Sequence, residues 1–187
     1  LEYMGFEKLL IAHCSPTLAS LKIANLFSYS FETEKELINS VGYWNTQMDK
    51  TGICLHILRK RNRKALIYVC RCAKLERCLK DKQVTKFLST YGYTDMDIDS
   101  VLAHLKERLS INEEFPHEIG VFLGYPLEDV MGFIHHNGKN FQLSGMWKVY
   151  GNKEDAEEKF GKYKKCTDIY LRLWNSGRSV QQLTVAA

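Results

Sequence analysis

Residues 53–70, ICLHILRKRNRKALIYVC, decide the fold class of this chain. Two apolar and partly β-branched runs, Ile53–Leu58 and Ala65–Cys70, flank the polar segment Arg59–Lys64. Apolar runs of this length on either side of a short polar segment are typical of a β-hairpin. We therefore predict two paired strands with a charged tip, and interpret the rest of the chain around them.

Three further segments carry weaker strand signals. The apolar run Ile119–Leu123 predicts a buried strand, and Phe141–Tyr150 predicts a second one with a bulge at Gly145. Ser179–Val185 predicts a short final strand. Together with the hairpin, two or three such strands would form a small mixed or mostly antiparallel sheet.

Helical signals cover most of the remaining chain. Pro16 suits a first helical position and predicts a helix over Pro16–Leu26. Thr33 and Glu36 form a capping-box pattern ahead of a helix that reaches Met48, and Lys153–Trp174 predicts a long helix with an aromatic face. With about six to seven helices packed on the sheet, the expected class is α+β.

The length and the charge of the chain indicate how many domains and which kinds of partner to expect. A chain of 187 residues predicts one domain, residues 1–187. The run Arg59–Lys64 holds five positive charges, and removing them from the net charge of +4 leaves −1 for the remainder. Because a nucleic-acid binder needs a broad basic face, we do not expect such a partner. The run could instead serve a non-catalytic interaction module that binds an acidic partner.

Cysteine usage and hydropathy indicate the compartment. The chain has six cysteines and no Cys-x-x-Cys pair, and it is too long to resemble a disulfide-stapled secreted module. We therefore expect a reducing, cytoplasmic compartment. No stretch of about 18 consecutive apolar residues occurs, so we expect no membrane-spanning helix.

Three distant segments of the chain resemble an uncharacterised bacterial family, domain of unknown function 3793 (DUF3793). The segments are His13–Leu18 with Lys22 and Asn25–Leu26, Phe115–Val130 with Gly132–Phe133, and Gly145–Gly151 with Phe160, Tyr163, Cys166 and Tyr170. The resemblance spans nearly the whole chain and implies a bacterial protein. Since that family has no established activity, the resemblance transfers no catalytic role. Its pattern does not include Cys70, Cys72 and Cys78.

The motif His13-Cys14-Ser15-Pro16 suggests thiol chemistry. A thiol at a helix N-terminus has a lowered pKa, and a nearby imidazole could act as its base. One hypothesis is therefore an enzyme that uses Cys14 with His13 as its partner. His13, Cys14 and Cys166 could alternatively bind a soft metal. The plainer alternative is that both motif residues pack at a helix junction.

Polar and aromatic side chains in the resembling segments suggest a ligand pocket. The candidates for ligand binding are Lys22, Glu118, Tyr125, Asp129, Lys148 and Tyr150. They belong to the segments His13–Asn25, Glu118–Asp129 and Trp147–Tyr150, which folding would have to bring to one cavity. The leading hypothesis is therefore a protein that binds a small ligand or cofactor. The sequence indicates neither which cofactor nor which oligomeric state, and a structural turn with solvent-facing side chains is the alternative.

Overall fold

The computed structural model describes residues 2–111 and 114–186, and within them it has an α+β fold, as expected. The helices are α1 (Glu2–Leu18), α2 (Glu34–Met48), α3 (Cys72–Leu79), α4 (Lys82–Ser89), α5 (Ile98–Ile111), α6 (Ile119–Phe122), α7 (Leu127–His135), α8 (Lys153–Asn175) and α9 (Val180–Leu183). The strands are β1 (Ala24–Ser30), β2 (Ile53–Arg61), β3 (Lys64–Arg71), β4 (Leu143–Ser144) and β5 (Lys148–Val149). A 3-10 turn, Asp49–Thr51, follows α2.

The predicted hairpin is confirmed as β2 and β3. The two strands pair antiparallel from Ile53 opposite Arg71 to Arg61 opposite Lys64. Asn62 and Arg63 form the turn, with φ of 51° and 56°, as a two-residue hairpin loop requires. The charged tip is therefore shorter than expected, because most of the basic run belongs to the strands.

Strand β3 lies in the middle of a three-stranded antiparallel sheet of order β1-β3-β2. Its side chains alternate between two hydrophobic cores. Ile67 and Val69 face the core that includes side chains of α1 and α2. Tyr68 and Cys70 face the core that includes side chains of α3 to α7. Because both faces are covered, β3 reads as an unbroken apolar run.

The helix predicted over Pro16–Leu26 is wrong. Helix α1 instead continues through Pro16 to Leu18. Ser20 then adopts a φ of 60°, which reverses the chain into β1. Pro16 lies in the last turn of α1 and removes one hydrogen bond of the helix. Pairing with the buried strand β3, from Ala24 opposite Cys70, then overrides the local helical signal.

The three weaker strand predictions are also wrong. Ile119–Leu123 lies in and after helix α6, since a short apolar run fits a buried helix as well as a strand. Phe141–Tyr150 is not one strand but the small hairpin β4–β5 around a turn at Gly145. Ser179–Val185 contains α9, which begins with a true capping box.

A membrane-crossing helix is absent from the part of the chain that the structure describes, since no helix there is both long and apolar enough. All six cysteines are free.

The guanidinium of Arg71, at the end of β3, joins the sheet to two other parts of the chain. Its Nε donates to the carbonyl of Thr17 at 2.7 Å, and its Nη2 donates to those of Leu18 at 2.6 Å and Val185 at 2.8 Å. Arg71 is buried, and it gives these carbonyls a charged donor besides the backbone N–H groups from which two of them already accept. One cation therefore fixes the amino-terminal helix and the carboxy-terminal segment to the sheet.

Replacing Arg71 with methionine should lower the free energy of unfolding by about 3 kcal/mol, because three charge-assisted hydrogen bonds to backbone carbonyls are lost. Urea denaturation followed by circular dichroism measures the change. Arg77→Met, on the exposed side of α3, is the matched control and should leave the midpoint unchanged. An Arg71 variant as stable as the control would contradict the structural role.

Candidate functional site

A cavity of about 350 Å³ lies between the segment before α6, helix α7 and the β4–β5 hairpin. We call it the aromatic cavity, after the rings in its wall. Its lining residues are Phe115, Pro116, His117, Ile119, Gly120, Tyr125, Asp129, Val130, Phe133, Ser144, Gly145, Met146, Trp147 and Lys148. Two of the three segments singled out in the sequence thus meet here.

The Asp129 carboxylate connects the elements around the cavity by three hydrogen bonds. Its Oδ2 accepts a hydrogen bond from the indole Nε1 of Trp147 at 2.7 Å. Its Oδ1 accepts from the backbone N–H groups of Tyr150 and Gly151, each at 2.8 Å. Asp129 is buried, and three donors compensate its charge. The carboxylate therefore fixes α7 to the strand β5 and to the start of α8.

Aromatic rings form one wall of the cavity. Tyr125 stacks on Trp147 with ring centroids 4.8 Å apart, and Phe160 meets Trp147 edge-on at 4.5 Å. The backbone of Gly120 lies behind Tyr125, where an added Cβ would come within 3.0 Å of the tyrosine ring and 2.8 Å of Val130. Because glycine has no side chain, the Tyr125 ring can pack directly against the backbone of α6 at this position.

The sheet fixes the position of this wall. The hydroxyl of Tyr68, in the centre of β3, donates to the carbonyl of Phe122 at 2.6 Å. Gly124 then turns the chain with a φ of 77°, and an added Cβ there would lie 3.2 Å from Ile23. The Gly124-Tyr125-Pro126 corner thus packs against the loop before β1, although no residue of the segment His13–Asn25 is among those that line the cavity.

Lys148 is the lysine among the residues that line the cavity. Its Nζ donates to the carbonyl of Gly138 at 2.7 Å. The same nitrogen lies 5.7 Å from the ring centroid of Phe133 and 4.9 Å from that of Phe141. Asn137 and Gly138 have φ of 51° and 69°, and the turn that they form presents the Gly138 carbonyl to the ammonium group.

Lys22 lies near the cavity wall but does not line the cavity. Its Nζ is 5.2 Å from the ring centroid of Tyr125, and the residue is 7% exposed. Among residues 2–111 and 114–186, no carboxylate lies within ion-pair distance of it. Burial lowers the pKa of Lys22 to about 8, and the nearby Cys14 thiol opposes this shift.

The other two ligand-binding candidates point elsewhere. Glu118 lines a second hollow, where its Oε1 accepts hydrogen bonds from Arg108 and from the hydroxyl of Tyr93. Tyr150 donates its hydroxyl to the carbonyl of Lys139 at 2.9 Å, and its ring is outside the cavity lining. Of the six candidates, the structure places Tyr125, Asp129 and Lys148 in the cavity wall.

The thiol motif is not arranged as a nucleophile and base. Cys14 is fully buried, and burial raises the pKa of its thiol well above the ordinary value. His13 is exposed and stacks on the ring of Phe27 at 6.4 Å. Within the described ranges no group of three or more His, Cys, Asp or Glu side chains is arranged to hold a metal, so Cys166 completes no ligand set.

The basic hairpin tip is partly engaged with the protein itself. Lys60 forms an ion pair with Glu34 at 2.9 Å, and Arg63 forms one with Glu32 at 3.3 Å. These contacts satisfy two of the five charges with carboxylates before and within α2. The interaction module therefore stays a hypothesis without further geometric support.

Sequence reasoning missed several residues of the cavity. His117 meets Phe133 edge-on at 5.0 Å, and neither was among the candidates. Both lie in or beside the long segment that resembles the family, and this resemblance was the sequence signal that could have identified them. The buried ring of Trp147 also forms part of the cavity wall.

Comparison with known proteins agrees with the resemblance. Residues 10–184 match the family described as Protein of unknown function (DUF3793). This chain belongs to the DUF3793 family. No curated protein and no solved structure matches it. The cavity of this DUF3793 chain must therefore be interpreted from its own chemistry.

Replacing Asp129 with asparagine should destabilise the protein by about 2 kcal/mol, because the amide NH₂ would face an N–H group that now donates to oxygen. The Trp147 indole resonance should move at the same time. Thermal unfolding and ¹H–¹⁵N spectra measure both effects. Glu128→Gln, on the exposed neighbour, is the control. An unaltered indole resonance in the Asp129 variant would contradict the role assigned to this carboxylate.

Replacing Lys22 with methionine should stabilise the protein by about 2 kcal/mol at pH 7, since the cost of burying a charge exceeds the lost cation–π contact. The folded lysine loses its proton near pH 8 and the unfolded one near 10.5, so the unfolded state binds more protons between these values. Wild-type stability should therefore rise with pH across that window.

The comparison that isolates this effect is the difference in unfolding free energy between wild type and variant at pH 7, 8, 9 and 10. It should shrink as pH rises. The control Lys8→Met, on the exposed side of α1, should show no such trend. A constant difference for the Lys22 variant would rule out a depressed pKa at this residue.

Proposed function

We propose that this DUF3793 chain binds a small organic molecule in the aromatic cavity. The observation that carries the proposal is a hollow of about 350 Å³, whose wall is mainly apolar and aromatic. Ligand pockets commonly have volumes of roughly 300–1,000 Å³ and combine apolar walls with a few convergent polar groups. Lys148, His117 and Ser144 supply such groups here.

Exposed apolar side chains at the mouth support the proposal. Phe115 is 37% exposed and Met146 is 46% exposed, and both line the cavity. Large apolar side chains at the rim of a concave site are typical of binding surfaces. A bound molecule would cover part of this surface.

Binding without catalysis accounts for the cavity better than the thiol-enzyme hypothesis. The cavity carboxylate, Asp129, already accepts three hydrogen bonds and is committed to holding the wall. Cys14 is sealed in the core on the buried side of α1 and does not line the cavity. The neutral thiol that burial favours is a poor nucleophile.

We also propose that the protein is bacterial and that it is cytoplasmic. Six unpaired cysteines suit a reducing compartment, where thiols stay reduced. The bacterial origin follows from the resemblance alone.

Binding can be tested through the indole of Trp147. Its N–H group gives a distinct ¹H–¹⁵N resonance, assigned with Trp147→Phe, and a fragment library can be screened for compounds that shift it. Trp44 and Trp174 do not line the cavity, so their resonances are internal controls. We expect a set of fragments that shift the Trp147 resonance alone.

Ser144→Phe should abolish these shifts, because the new ring would fill the cavity from its mouth. Ser89→Phe, on the exposed side of α4, is the matched control and should bind normally. Fragments that shift all three indole resonances equally, or a library without binders, would contradict the proposed function.

A further inference from the structure

We propose that the ligand is an aromatic anion, an inference that rests on the proposed function. Its ring lies between the Tyr125–Trp147 wall and Phe133, and its carboxylate or other oxyanion binds the Lys148 ammonium group. The shape of the wall, the free donor capacity of Lys148 and the distribution of charge each support this assignment.

The aromatic rings of the wall favour binding of a flat apolar group. Tyr125 and Trp147 are stacked rings with an interplanar angle of 27°, and Phe133 also lines the cavity. Aromatic pairs favour offset-stacked or edge-on contact with further rings. A planar ligand ring can therefore contact several side chains at once, whereas a flexible alkyl chain would lose more conformational entropy.

Lys148 has donor capacity left for an anion. An ammonium group can donate three hydrogen bonds. Within the described residues its acceptor is the Gly138 carbonyl, at 2.7 Å, which leaves two donors. The residue is partly buried, and a hydrogen bond between charged groups is stronger there than in water. The carbonyl contact also fixes the direction of the ammonium group before a ligand arrives.

The charge around the cavity favours an anion over a cation. A cage of aromatic rings with a carboxylate is the usual arrangement for a quaternary ammonium ligand. Here, however, Asp129 already accepts from three donors, while the Lys148 ammonium lies 5.7 Å from the centroid of the Phe133 ring. Lys22 lies against the Tyr125 ring at 5.2 Å. A cationic ligand would meet like charge beside these rings.

Three probes of similar size and different charge test the assignment: 1-naphthoate, 1-naphthylmethanol and 1-naphthylmethylamine. Isothermal titration calorimetry at pH 7 gives each dissociation constant, and the Trp147 resonance reports the site. We expect 1-naphthoate to bind at least about tenfold more tightly than the neutral alcohol, and the amine to bind most weakly.

Lys148→Met should weaken 1-naphthoate to the affinity of the alcohol without changing the alcohol's own affinity. Lys148→Arg should keep the preference for the anion, because it keeps the charge. Lys139→Met, on a nearby exposed lysine, is the control and should bind as wild type does. Thermal unfolding of each variant separates a loss of binding from a loss of fold.

The possible outcomes distinguish this inference from the proposed function. Equal affinity for all three probes, or tighter binding of the amine, would overturn the anion assignment while leaving a ligand cavity. Retained preference for 1-naphthoate in Lys148→Met would also overturn it. If no probe binds and the fragment library yields no Trp147 shift, both proposals fail.

Discussion

Burial of β3 on both faces is the constraint on which the rest of this fold depends. Tyr68 and Ile67 are fully buried although they point to opposite sides of the sheet. A strand in this position needs a partner on each edge and a helical layer on each face. The two faces therefore receive different layers, and Arg71 fixes both ends of the chain where β3 ends.

The cavity borders the helical layer that covers the Tyr68 face of β3. Tyr68 holds the end of α6 from the centre of β3, and Asp129 holds the β4–β5 hairpin from α7. Because these anchors are hydrogen bonds to buried groups, the aromatic wall is fixed before any ligand binds. A preformed wall lowers the entropic cost of binding, which suits a pocket for a small molecule.

The two lysines near the wall differ in what surrounds them. Lys148 has a carbonyl acceptor and lines the cavity, whereas Lys22 is buried against Tyr125 with its pKa lowered to about 8. Keeping an uncompensated cation in this position opposes folding. Natural proteins commonly accept such local costs beside functional sites. The positive potential that both lysines give to the wall is the same feature that favours an anionic ligand.

The sequence by itself determined the α+β class, the central hairpin, the helices Glu34–Met48 and Lys153–Asn175, and the family. These signals are local, since capping residues and periodicity act within one element. It could not assign Ile119–Phe122, which is helical because of what packs around it, nor show that Cys14 is sealed in the core. Only tertiary structure decided which polar residues meet, because hydrogen bonds such as that between Asp129 and Trp147 join positions far apart in the chain.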